Sequence, residues 1–130
     1  MSDESQKQFA ESEESLFVIP SQSRKFETWK ELEAFLEEQI ATKDLISKII
    51  CGGNSYSREA CEYIAEIIKT KGDLEKFYYA DFSNMFVSRK LDELPDSVSL
   101  LIDAVKGFNI THLYMSDNAF GPNGVVRFNE

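Results

Sequence analysis

A chain of 130 residues has room for one domain, and 42% apolar content is enough to give that domain a core. Its formal net charge of −9 repels phosphate backbones, which excludes a general nucleic-acid binder. No apolar run is long enough to span a membrane, and the opening Met1-Ser-Asp-Glu4 has neither the basic nor the apolar region of a signal peptide.

Residues 1–15 carry Asp3, Glu4, Glu11, Glu13 and Glu14 with almost nothing to bury, so they are expected to form a disordered acidic leader. Residues 16–44 read as an N-terminal cap. Leu16-Phe-Val-Ile19, closed by Pro20, predicts a short strand or hairpin. Thr28-x-x-Glu31 is a capping box that opens a helix with Leu32, Phe35, Leu36 and Ile40 on one face. Residues 45–130 then carry a recurring pattern. Ile46-x-x-Ile49-x-Cys51-x-x-Asn54 and Ile110-x-x-Leu113-x-Met115-x-x-Asn118 match the leucine-rich-repeat signature, and Leu74-x-x-Phe77-x-Tyr79-x-x-Phe82 matches with Phe in place of Asn. Strands are expected near 46–51, 74–79 and 110–115.

Each strand is followed by a helical pattern. Ser57 can cap a helix with Ala60, Ile64, Ile67 and Ile68 on one stripe, ending at Gly72. Pro95 suits a first helical turn, and Val98, Leu101, Ile102 and Val105 follow at helical spacing before Gly107. The third repeat has its strand and the turn Gly121-Pro-Asn-Gly124, but its helix barely starts at Val125-Val-Arg-Phe128. The predicted fold is therefore α/β: a leucine-rich-repeat solenoid, a partial right-handed horseshoe of short parallel strands with outer helices. The incomplete third repeat would leave an open strand edge, which invites self-association.

The two cysteines are read as small buried hydrophobes, Cys51 at a repeat position and Cys61 on a helix. They form neither a zinc site nor a disulfide framework, so no metal or cofactor is expected and the compartment is reducing and intracellular. Asn54 and Asn118 are read as caps for the repeat turns, since an unpaired turn backbone is costly in a stack. Tyr78, Tyr114 and His112 fall at variable strand positions on the expected concave face, two levels of Tyr that should stack. No nucleophile is spaced around His112. Arg89 lies between a strand and a proline-started helix, where solenoids carry binding residues. Asp117, near the third strand's end, could meet a basic partner.

Two segments add a family resemblance. Phe86-Val-Ser-Arg89-Lys-Leu-Asp-Glu-Leu-Pro95, followed by Met115-Ser-Asp-Asn-Ala-Phe-Gly-Pro122, resembles the leucine-rich-repeat domain of Ran GTPase-activating proteins. The likeness runs from about Leu16 through Phe128, and Ser116 to Pro122 match the family's element at seven consecutive positions. It implies the N-terminal portion of a regulator that binds the GTP form of Ran and speeds hydrolysis on the GTPase, ordering its switch region and its own glutamine. On that account no arginine finger is inserted, and the protein is not an enzyme with its own active site. Arg89 matches the family's functional arginine, which works through partner or loop geometry, and Arg89 and Asp117 become the expected GTPase-contacting residues. The family's downstream asparagine would lie beyond Glu130. The resemblance also implies a role in nucleocytoplasmic transport, in the cytoplasm or at the nuclear envelope. The other reading is a leucine-rich-repeat interaction module without GTPase-activating activity.

Overall fold

The computed structural model describes residues 15–87, 89 and 92–115. Four strands form one parallel sheet: β1 (Leu16–Val18), β3 (Lys48–Ile50), β5 (Tyr79–Asp81) and β6 (His112–Tyr114), in that spatial order. A second, two-stranded parallel ladder joins β2 (Lys25–Phe26) to β4 (Ser55–Tyr56). Parallel neighbours need long crossovers, and the helices supply them. They are α1 (Trp29–Phe35) and α2 (Glu37–Thr42) before β3, α3 (Arg58–Lys71) before β5, and α4 (Leu94–Val105) before β6.

The main sheet extends to the first residues described. β1 pairs in parallel with β3, while β2 belongs to the other ladder, so the two cap strands do not form a hairpin with each other. Their register makes the cap one more level of the same architecture: Phe17, Ile49, Ala80 and Leu113 lie in one row. The first three of these are fully buried, and Leu113 packs against the core from its edge. The next inward row, Ile19, Cys51 and Phe82, is also buried, with Met115 packed against it.

This register corrects the expected second repeat. Lys48 pairs with Tyr79 and Ile49 with Ala80, so the repeat begins at Phe77, in step with Ile46 and Ile110, and Leu74 is outside it. Phe82 occupies the row of Cys51, and the asparagine position falls on Met85. The physical reason is a turn after α3. The Asp73 carboxylate accepts from the backbone N–H of Glu75 and of Lys76, and this loop leaves Leu74 78% exposed. The strand therefore starts later than the apolar pattern suggests.

The local signals for the helices act as physics requires. Thr28 and Glu31 form the full capping box of α1. Leu32 and Leu36 are buried, though the helix breaks at Leu36 into α1 and α2. The Ser57 hydroxyl accepts from the Ala60 N–H at 3.1 Å, opening α3, and Pro95 sits in the first turn of α4. α3 is the central helix: it buries Ala60, Cys61, Ile64, Ala65, Ile67 and Ile68 and packs against both α4 and α1. Gly72 ends it with an ordinary φ of −63°, so its lack of a side chain has another cause. An added Cβ would lie 2.6 Å from the Ile68 carbonyl oxygen and 2.6 Å from the Phe108 ring.

Candidate functional site

After β1, β3 and β5 the chain leaves the main sheet at one edge and builds a layered set of turns there. In the second layer Gly53 takes a φ of 90°, a conformation a side chain would strain. Its N–H donates to the Asn84 carbonyl at 3.0 Å, and its carbonyl accepts from Ser23 N–H at 2.9 Å, joining the layers on both sides. Asn54, 2% exposed, completes the junction. Its Oδ1 accepts from the N–H of Gln22 at 3.2 Å and of Arg24 at 3.0 Å, while its amide donates to the Pro20 carbonyl at 2.9 Å and the Tyr56 hydroxyl at 3.2 Å. It thus ties down the turn of the layer before its own. Beneath the turns, Phe26 stacks on Tyr56 at 5.6 Å, and Phe86 is buried with them in the core.

The third layer leads to Arg89. Tyr56 N–H donates to the Met85 carbonyl at 2.9 Å, which fixes this segment against β4. Val87 then projects at 55% exposure, while the side chain of Arg89 is only 8% exposed. The guanidinium folds back across two layers. Nε donates to the Ser55 hydroxyl at 2.8 Å, and one terminal nitrogen donates to the carbonyls of Ser55 at 3.2 Å and Phe26 at 3.3 Å. The other pairs with the Glu27 carboxylate at 2.9 Å. A planar fork of fixed donors suits this arrangement, because it can bind several acceptors at once without choosing between them. Arg89 therefore staples the third layer to the first.

Asp117 and Asn118, with the whole Ser116–Pro122 element, lie outside the described residues. Glu27 and Ser55 carry no sequence signal that would single them out. Glu27 precedes the capping box and Ser55 follows the repeat asparagine, and only the fold brings them to Arg89.

The exposed face of the main sheet, opposite the helices, holds a second cluster. Tyr79 stacks on His112 at 5.6 Å and tilts against Tyr114 at 5.4 Å, while Tyr78 meets His112 edge-on at 5.8 Å. The Lys48 ammonium lies 5.3 Å from the Tyr79 ring centre and 5.6 Å from that of Tyr78. The repeat pattern Leu74-x-x-Phe77-x-Tyr79 gives Tyr79 an inward consensus position; the observed register puts it on this face instead, and it is Tyr79 that meets Tyr114. Partial desolvation, then the neighbouring Tyr114, holds the Tyr79 phenol above its usual pKa.

Cys51 and Cys61 are free and buried. Burial pushes the Cys61 thiol up to about 12 and the Cys51 thiol well above its usual range, so both stay protonated at neutral pH. Among the described residues no group of three or more His, Cys, Asp or Glu is placed to hold a metal ion. The Thr111 hydroxyl lies 2.9 Å from His112 Nδ1 on the exposed sheet face. The layered edge itself offers an inward-held arginine.

No family model matches the chain. Curated relatives do. The chain is 41% identical over 78 residues to Ran GTPase-activating protein 1 of Xenopus laevis, a stretch covering 58% of this chain and 13% of that protein. It is 31% identical over 111 residues to Ran GTPase-activating protein 1 of Saccharomyces cerevisiae, covering 84% of this chain and 27% of the yeast protein. The Ran GTPase-activating protein of Drosophila melanogaster matches at 39% identity over 75 residues, 56% of this chain and 12% of that protein. The chain thus spans about a quarter or less of the length of these relatives.

Proposed function

We propose, for a chain that belongs to the Ran GTPase-activating protein family, that it forms the first levels of a leucine-rich-repeat solenoid and helps to accelerate GTP hydrolysis by Ran. The parallel strands in step at Phe17, Ile49, Ala80 and Leu113, each joined to the next through a helical crossover, support the solenoid reading. The observation that carries the functional reading is the posture of Arg89. An arginine meant to enter a nucleotide site in the partner would be free to extend. This one is 8% exposed and holds four acceptors of its own chain.

Its role is accordingly to fix the edge that meets the GTPase, with Val87 exposed beside it, while the hydrolytic machinery stays on the GTPase. A preset edge can order a mobile switch because the regulator has less of its own ordering entropy to lose on binding. Asp117, outside the described residues, stands as a second proposed GTPase contact. The protein then acts on a GTPase in the cytoplasm, and among the described residues no helix is long and apolar enough to cross a membrane.

Single-turnover hydrolysis on GTP-loaded Ran tests this. The comparison is between the 130-residue chain, a chain extended by the remaining length of its relatives, and the extended chain with Arg89→Ala. The extended chain should accelerate hydrolysis strongly, the 130-residue chain weakly or not at all, and Arg89→Ala should lower the extended chain's rate. An unchanged rate in the variant would refute the Arg89 assignment. No acceleration by the extended chain would leave an interaction module without this activity.

A further inference from the structure

Arg89 carries a permanent positive charge into a site where its side chain is 8% exposed, and a cation so placed needs a counter-ion. Among the ion pairs of the described residues its one carboxylate partner is Glu27, at 2.9 Å. Glu27 stands in the turn between β2 and α1, 62 residues away in sequence. Its backbone is held on both sides: its N–H donates to the Glu31 carboxylate at 3.0 Å, and its carbonyl accepts from the Ser57 hydroxyl at 2.8 Å. With the backbone pinned, the carboxylate has a short, fixed reach to the guanidinium.

Ser55 supplies the other half of the device. Its hydroxyl donates to the Val87 carbonyl at 2.6 Å and accepts from Arg89 Nε at 2.8 Å. A hydroxyl has one proton to give, and giving it to Val87 turns a lone pair toward the arginine. Ser55 therefore links the guanidinium to the backbone of the exposed residue two positions before it.

We infer that Glu27 and Ser55 are positioning residues of the activating edge, Glu27 by setting Arg89 in its inward posture and Ser55 by passing that posture to the backbone at Val87. The inference rests on the proposed reading of this edge as the surface that meets the GTPase. Stability alone does not account for the Glu27 pair. The Glu27 side chain is 55% exposed, and an ion pair with one partner so open contributes little to folding. Losing Glu27 should leave the fold in place and let Arg89 swing toward solvent.

The test is stimulated GTP hydrolysis on Ran by the full-length protein, with kcat and KM separated and the melting midpoint recorded for each variant. Glu27→Ala should lower kcat about tenfold with KM little changed, as misorientation of a preset group does, and Glu27→Gln should fall between. Glu27→Ala added to Arg89→Ala should cost nothing further, since Glu27 acts through the arginine. Ser55→Ala should slow the reaction while Ser55→Thr, which keeps the hydroxyl, restores it. Full activity of Glu27→Ala beside a slow Arg89→Ala would overturn the inference and leave the functional reading standing. So would an equal further loss in the double variant, or losses that simply follow the melting midpoint. No stimulation by the unaltered protein overturns the functional reading and the inference together.

Discussion

Asn54 makes four polar contacts from a position with 2% of its surface exposed; three close a turn that belongs to the preceding layer, and the fourth meets the Tyr56 hydroxyl in its own. An amide serves there because it can accept two N–H groups and donate to two oxygens at the same place. Asn54→Ala would strand the N–H groups of Gln22 and Arg24 and the carbonyl of Pro20. We expect a loss of about 3 kcal/mol, the upper part of the range for buried polar groups left unpaired, measured as a shift of the urea midpoint at unchanged slope. A loss well under 1 kcal/mol would mean that water replaces the side chain there. The capping role of Asn54 can be read from its repeat position. The company kept by Arg89 cannot, because Glu27, Phe26 and Ser55 are brought to it by strand pairing and not by any spacing in the chain.

Among the elements, what was legible was local. The Thr28–Glu31 capping box, the Ser57 cap and Pro95 in a first turn each depend on residues within four positions, and each forms as the chemistry dictates. The start of the second repeat was not legible, for two physical reasons. Ala80 fills a row that Ile49 and Leu113 fill elsewhere, so the apolar signal is weakest where the strand lies. The Asp73 turn meanwhile holds a leucine in solvent, where the pattern takes it for the start of a strand. Gly72, just before that turn, gives the sharpest test at this scale. Gly72→Ala keeps a permitted φ yet drives a methyl into the Ile68 carbonyl and the Phe108 ring. The expected cost is about 1–3 kcal/mol, typical of overpacking, read from thermal unfolding. A stabilised variant would show that α3 and the Phe108 segment can separate without loss.

At the scale of the whole molecule, four parallel strands and the two residue pairs of the β2–β4 ladder make each described layer depend on its neighbour, and Arg89 adds a bond that skips a layer. The result is an edge held at three levels by backbone and side chain alike, on a chain whose −9 charge favours a basic partner surface. The proposed role of Arg89 is to hold this edge, without leaving it to reach the nucleotide. A crystal structure of the full-length protein bound to Ran carrying a GTP transition-state analogue would locate the guanidinium directly. It should remain hydrogen-bonded to Ser55 and the Phe26 carbonyl, with Val87 facing the GTPase. A guanidinium withdrawn from Ser55 and bonded to the γ-phosphate position would contradict it.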